Sequence, residues 1–368
     1  MAYDRGSRVG ACSAKPVPHY TRRVTGKMRA LLLDAERHLS LVDAPIPALS
    51  APTDVLVRVR AVGVCGSDLH GYLGHTGRRI PPLVMGHEAT GEVVAVGADV
   101  RQLRPGSRVA TNTVAACGHC RPCLAGERSL CEQRRILGMN APGAYAEYVV
   151  WPEDSLPVLP DGLSFEAGAL AEPLAVVLHA VNMAGIKPGD VVFIAGGGPI
   201  GVLAHLLARI AGAGRIIISD LHADRLCSAQ AFGADVVVDA SQADPVAVTR
   251  EHTGGSGADV SIEAVGAAAT AQQSIDAVRN SGTIVWLGNS ADRIEIGMQA
   301  VVTRNLTIRG SYGMTGQEFE RSLALLAGGH LPIGEIVNRY ATLDEGPALF
   351  EELIASPATI KCVIRPGA

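Results

Sequence analysis

From about Lys187 onward the chain alternates short buried strands with helical stretches, and this constrains its fold more than any other feature. Val191-Val192-Phe193-Ile194-Ala195 is a continuous apolar run, the pattern of a strand covered on both faces. The turn Gly196-Gly197-Gly198-Pro199-Ile200-Gly201 follows, and Ile200, Leu203, Ala204, Leu207 and Ala211 then recur at helical spacing. Arg215–Ser219 reads as the next strand, and further strands are expected at 236–238, 260–263, 283–287 and 306–309. Asp244-Pro245 is the N-cap and first residue of a helix. Such alternation predicts a parallel sheet with helices on both faces. The window Val191–Ala208 carries no formal charge and is long enough for a membrane span. Three glycines, a proline and His205 interrupt it, so strand, turn and helix is the better reading and no membrane partner is expected.

The turn fits G-x-G-x-x-G between a strand and a helix. Gly196, Gly198 and Gly201 permit a tight turn and close approach of a pyrophosphate, which the helix N-terminus that opens at Pro199-Ile200 favours through its free N–H groups and positive dipole end. Asp220 lies 19 positions after Gly201, where the second strand ends, and is placed to accept hydrogen bonds from the ribose hydroxyls of NAD. An acid there repels a 2′-phosphate, which favours NAD over NADP. Arg225 could sit beside the ribose or be a solvated helix residue, so NADP stays open.

The preceding part differs. Between Met28 and about His179 the runs are short, β-like and rich in Gly and Pro: Val55–Val59, Gly91–Val96 and Ala144–Val150, which resemble antiparallel strands. After about Gly316 a helix and a short strand, Ile360–Ile364, close the chain and can return to this first unit. Two domains suit 368 residues, and 48% hydrophobic against 18% charged residues suits well-buried cores. A net charge of −4 speaks against nucleic acid as the main partner. Residues 1–27 hold six Lys or Arg against one acid and no apolar core, and are expected to be a disordered extension.

Four of the eight cysteines crowd together as Cys117, Cys120, Cys123 and Cys131, spaced C-x2-C-x2-C-x7-C. Four thiolates so close can surround one tetrahedral zinc and leave it no open position, which makes the site structural. Uneven cysteine spacing reads as metal chemistry in a reducing compartment, the cytoplasm, rather than as a disulfide framework. A second set is dispersed. Cys65 lies in Gly63-Val64-Cys65-Gly66-Ser67-Asp68-Leu69-His70, Gly86-His87-Glu88 follows, and Glu172 sits on an apolar stretch. A Cys, a His and a carboxylate leave zinc one open position, the pattern of a catalytic site. Taken singly, Cys65 could be a core thiol, His87 a satisfied core histidine, and Glu88 or Glu172 a helix-start acid, so spacing alone leaves the two readings level.

Together these segments resemble the zinc-containing medium-chain dehydrogenase/reductase family, over Met28 to Pro366, and its polyol branch in particular, which includes sorbitol and threonine dehydrogenases. The resemblance implies an α/β fold: a GroES-like, mainly antiparallel β catalytic domain over 28–180 and 318–368, around a doubly wound parallel-sheet Rossmann domain over 181–317. It implies two Zn²⁺ per chain and a nicotinamide cofactor. Cys65, His87 and Glu88 would ligate the catalytic zinc. Glu172 would hold the zinc-bound water or exchange with Glu88, and Asp68 would orient the His87 ring. Ser67 and His70 would carry the alcohol proton to solvent. The partners implied are a small alcohol or ketone and further copies of the chain, as a tetramer or dimer.

The match weakens at two places. Where sorbitol dehydrogenases carry a pocket aromatic after the relay histidine, this chain has Gly71 and then Tyr72. Where they carry an Arg-Tyr pair after a late strand, it has Gly313-Met314. Both changes put sorbitol itself in doubt. Arg78 and Arg79 read as solvated loop arginines, the alternative being contact with a substrate phosphate or carboxylate. The expected activity is a zinc-dependent hydride transfer between a polyol or other secondary alcohol and NAD(P). A threonine or amino-alcohol dehydrogenase is the alternative, and a catalytically silent NAD-binding sensor the second.

Overall fold

The structure is a computed structural model and describes residues 24–75, 77–356 and 358–367. Six strands form one all-parallel sheet in the spatial order Val236–Asp239, Arg215–Asp220, Val191–Ala195, Ala258–Glu263, Val278–Trp286 and Thr307–Gly310. In chain order this is 3-2-1-4-5-6, the doubly wound arrangement, whose ligand crevice opens at the carboxyl ends of the strands where the winding reverses. The glycine turn leaves strand Val191–Ala195 at that reversal and enters helix Pro199–Ile210. Val192 through Ala195 are fully buried, which explains a charge-free run without a membrane. A different stretch, Phe165–Ala184, is helical, long and apolar enough to cross a membrane, yet 72% of its window is buried inside the protein.

The second sheet runs Val337–Thr342, Lys361–Arg365, Asp54–Gly63, Glu88–Val96, Arg108–Ala110, and Tyr148–Pro152 pairs with the first half of Asp54–Gly63. Only the pair of Val337–Thr342 with Lys361–Arg365 is parallel, so this unit is mainly antiparallel. The last strand pairs Val363 with Gly63 and Ile364 with Val62, which brings the chain's end back to its first half.

Three expectations need correction. The extension expected over 1–27 lies outside the described residues up to residue 23. Beyond that, Lys27 already opens the first strand, and the Gly26 carbonyl accepts from the Ile46 N–H at 3.0 Å. The run Ala144–Val150 is not one strand. Ala144 and Tyr145 donate to the Gly86 and Met85 carbonyls, and ladder pairing with Asp54–Arg58 begins only at Tyr148. Strand Val337–Thr342 and helix Gly346–Ala355 were not anticipated, because a half-exposed strand and a short helix carry little periodicity.

Helix Ala171–Ala184 ties the two units together. Its Ala171, Leu174, Ala175, Val177 and Ala180 are fully buried in one cluster that holds Leu203 and Leu207 of the parallel-sheet unit and Leu159 and Leu163 of the other. Helix Gly316–Ala327 lies beside it. Its first-turn Glu318 closes a capping box with Thr315 and also reaches His179 at 3.0 Å and Asn182 at 2.9 Å.

Candidate active site and metal centres

The four sulfurs of Cys117, Cys120, Cys123 and Cys131 lie within 4.8 Å of one another. Cys117 and Cys123 are 3.9 Å apart, and Cys120 and Cys123 3.3 Å. Four thiolates at about 2.3 Å from one zinc would stand about 3.8 Å apart, whereas a disulfide needs about 2.05 Å. The donor set therefore fits a tetrahedral metal. Hydrogen bonds from the His119 and Cys120 backbone bring the Cys117 thiol down to about 6. His119 Nδ1 meets the Cys117 carbonyl at 2.9 Å, in keeping with a shell already filled by sulfur.

The dispersed residues also converge. Donor atoms of Cys65, His87 and Glu88 fall within 4.8 Å of one another. Cys65 is the N-cap of helix Gly66–Tyr72, and Glu88 opens strand Glu88–Val96. A Cβ on Gly63 would stand 2.1 Å from Glu88 Oε2, so the glycine makes the room this carboxylate occupies. Glu172 enters from the first turn of helix Ala171–Ala184 and accepts from the Thr113 hydroxyl at 2.9 Å. It lies outside the tight trio. Burial pushes its carboxyl up; His87 opposes this and Glu88 adds to it.

Sequence reasoning missed Lys361. Its ammonium sits 2.8 Å from both Glu88 oxygens and donates to the Val64 carbonyl at 3.2 Å, with side chains 3% and 0% exposed. A single lysine inside the apolar run Ile360–Ile364 was the available signal. Asp68 has a second unexpected cation: Arg79 stands 2.8 Å from its Oδ1, and the Tyr145 hydroxyl donates to its Oδ2 at 2.7 Å. His87 Nδ1 is 3.4 Å from Asp68 Oδ1, within ion-pair reach but poorly aligned for a hydrogen bond. Arg79 is therefore not a solvated loop arginine, because its side chain is 1% exposed and paired. Arg78 is exposed, as expected.

The charges add up to a divalent cation. Cys65, Asp68, Glu88 and Glu172 can each carry a negative charge, and Arg79 and Lys361 supply two positive ones, which leaves an excess of two negative charges in a largely buried cluster when His87 is neutral, as a metal ligand must be. Uncompensated charge is costly inside a protein, and one Zn²⁺ cancels it. Burial opposes the charge on His87, yet Asp68 and Cys65 raise its pKa well above the ordinary value, so a metal can take the place of that proton. Burial also opposes the charge on Asp68, and His87 and Arg79 outweigh it, holding the carboxyl well below its usual range.

Both departures from the sorbitol pattern have a structural account. A Cβ on Gly71 would stand 2.3 Å from Arg79 Cδ, so the arginine stem fills this space. Tyr72 is no pocket residue: it is buried against Phe350, with its hydroxyl on Glu351 at 2.9 Å. The backbone of Met314 is latched to the Ser129 hydroxyl, which donates to its carbonyl at 2.9 Å and accepts from its N–H at 3.2 Å. Ser67 accepts from Arg79 at 3.0 Å, and His70 is half-buried, its pKa lowered by burial, His75 and Arg79.

At the nucleotide crevice, Asp220 Oδ2 accepts from the Gly197 N–H at 2.8 Å and Oδ1 from the His222 N–H at 2.9 Å. Asp220 is thus fastened to the glycine turn, and each oxygen keeps a lone pair for a hydroxyl. Arg225 stands 3.5 Å from Asp220 Oδ2, and its Cβ is 3.5 Å from where a Cβ on Gly197 would lie. Gly198 is the cap of helix Pro199–Ile210 and offers no side chain to fill the phosphate space. A cavity of about 480 Å³ opens between the units, lined by Arg78, Glu132, Arg134, Ile136, Asn140 and Tyr312. Gly138, next in the chain to its lining residue Met139, packs on Gly86, the neighbour of His87.

Residues 51–161 match the alcohol dehydrogenase GroES-like domain, and residues 199–328 the zinc-binding dehydrogenase domain. D-xylulose reductase A of Aspergillus niger is 33% identical over 343 residues, which cover 91% of this chain and 96% of that protein. The chain belongs to the zinc-binding alcohol dehydrogenase family. This dehydrogenase is also similar to L-threonine 3-dehydrogenase of Symbiobacterium thermophilum, 40% identical over 292 residues, 78% of this chain and 82% of that one. A crystal structure of a zinc-binding dehydrogenase from Sinorhizobium meliloti bound to NADP superposes with a TM-score of 0.84 at 35% identity, over 93% of this chain and 100% of that chain. The protein is a zinc-dependent oxidoreductase of the polyol branch, which passes hydride between a polyol or other secondary alcohol and NAD(P) to give the ketone.

Proposed function

We propose that this dehydrogenase oxidises an unphosphorylated polyol or vicinal diol with NAD, on a zinc held by Cys65, His87 and Glu88. The convergence of these three donors beside a cleft between the units carries the reading. A zinc held there would supply Lewis acidity that eases loss of the substrate's hydroxyl proton, and a bound nicotinamide would supply the acceptor for the hydride of the carbinol carbon. The hydroxyl proton passes to Ser67 and on to His70, whose lowered pKa keeps its ring neutral and able to accept at neutral pH. Glu172, held by Thr113, is the carboxylate that exchanges with Glu88. Gly196, Gly198, Pro199, Ile200 and Gly201 take the pyrophosphate. Asp220 takes the adenosine ribose, which favours NAD, with Arg225 beside it. Arginines, a carboxylate, an amide and a phenol line the cleft, and this mixture of donors and acceptors suits several hydroxyl groups better than an apolar alcohol.

The catalytic unit is assigned to 28–180 and 318–368, the nucleotide unit to 181–317, and Cys117, Cys120, Cys123 and Cys131 to a second, structural zinc. A cysteine-held metal suits the reducing cytoplasm. The exposed edge strand Thr307–Gly310, with Met298 72% and Val302 68% exposed nearby, supports a homo-oligomer of dimer or tetramer size, testable by light scattering. The similarity to a threonine dehydrogenase keeps the amino-alcohol reading as the alternative. The test is a cofactor-coupled absorbance assay with NAD and NADP against polyols, diols and L-threonine. Turnover of polyols or diols with NAD supports the proposal. Turnover of L-threonine alone favours the alternative, and turnover of nothing by zinc-loaded protein favours the sensor.

A further inference from the structure

Arg79 carries more than a loop arginine needs. It is buried with the Asp68 carboxylate, its guanidinium Nη2 reaching Asp68 Oδ1 at 2.8 Å and the Ser67 hydroxyl at 3.0 Å. The Tyr145 hydroxyl, donating at 2.7 Å, and the Cys65 N–H, 3.4 Å away, both serve Asp68 Oδ2, so Oδ1 faces the cationic groups of Arg79 and His87. A buried ion pair is poor value for stability: well-packed apolar residues of similar volume often do as well or better. A stable fold could therefore have kept apolar side chains at both positions 68 and 79, and the absence of a side chain at Gly71 makes room for the arginine instead.

We propose that Arg79 is a positioning residue that locks the histidine-orienting carboxylate of Asp68 and the proton-relaying hydroxyl of Ser67 into one unit. One planar guanidinium holds both. At Asp68 it fixes the carboxylate that faces His87 Nδ1, 3.4 Å away, and so fixes the ring whose other nitrogen is free to meet the metal. At Ser67 it donates to the oxygen, so the hydroxyl's own hydrogen stays available and oriented away from Arg79. The metal centre and the proton path are thereby held in register by one side chain on the loop after helix Gly66–Tyr72. Lysine is a poor substitute, because its flexible stem does not hold an ammonium at one fixed point between two acceptors as the planar guanidinium holds Nη2.

This inference rests on the roles proposed above for His87 and Ser67. Its test uses full-length zinc-loaded enzyme and the variants Arg79→Met, Arg79→Lys and Gly71→Ala. The readouts are the rate of zinc release from the reactive cluster to a coloured chelator, kcat, and KM for NAD. Loss of an outer carboxylate's support should speed zinc release and lower kcat by about 10–100-fold each, with KM for NAD unchanged. Arg79→Lys should stay closer to Arg79→Met than to wild type. Gly71→Ala puts a methyl group where the arginine stem lies while favouring the helix, so it should show the same kinetic losses in a protein that folds. Zinc release and kcat within twofold of wild type in both Arg79→Met and Gly71→Ala would overturn the proposal, as would a lysine variant equal to wild type. A wild-type enzyme with no chelator-accessible zinc and no turnover would instead overturn the functional reading beneath it.

Discussion

Replacing Lys361 by Met keeps the volume and removes one charge from a pair in which both Glu88 oxygens lie 2.8 Å from the ammonium. Neither side chain has meaningful access to water, at 3% and 0% exposure, so the carboxylate left behind cannot recover solvation. Breaking a buried pair in this way costs about 3–5 kcal/mol. At about 2–4 °C per kcal/mol for a unit of this size, a loss near 4 kcal/mol lowers the melting temperature by roughly 8–16 °C. The double variant Glu88→Gln with Lys361→Met removes both charges and should recover at least half of that loss. Differential scanning calorimetry of the catalytic metal-free protein reads both values, and added zinc should narrow the gap by compensating Glu88. A single variant that melts within about 2 °C of wild type, or a double variant no better than the single, would refute the claim that Lys361 compensates a buried anion.

Three further outcomes are expected. Cys123→Ser should lower bound zinc from about two per chain to about one by metal analysis, because a hydroxyl is a poor replacement for a thiolate. Asp220→Ser should raise KM for NAD by about 10–100-fold through loss of charge-assisted ribose bonds while improving use of NADP, read from steady-state kinetics with each cofactor. Glu318, held by His179, Thr315 and Asn182 against its burial, has its carboxyl lowered from 4.5 to about 2. A depressed carboxylate stabilises above its unfolded pKa and loses that contribution as the pH falls toward the folded value. Wild type should therefore exceed Glu318→Gln by about 1–2 kcal/mol near neutrality, allowing for solvent screening, and the gap should close from about pH 5 to pH 2 in urea titrations.

Much of this enzyme was legible in its primary structure, because the relevant signals are local. A strand, a glycine turn and a helix occupy one continuous stretch, so Val191–Ile210 and Asp220 could be read in place and the parallel sheet inferred. Four cysteines within fifteen residues, Cys117 to Cys131, report a metal lobe by spacing alone. Cys65, His87 and Glu172 are far apart in the chain, and only a resemblance joined them in advance. What tertiary structure alone decided is how the charges are paired. Lys361 reaches Glu88, 273 positions away in the chain, because the last strand returns to pair with Gly63, and no periodicity reports such a contact. Arg79 looked like surface because its loop is polar. It is buried because Gly71 leaves a gap one side chain wide and Asp68 lies behind it. Local pattern specifies which elements form; the price of burying charge, settled only when distant strands meet, specifies which cation stands beside which anion.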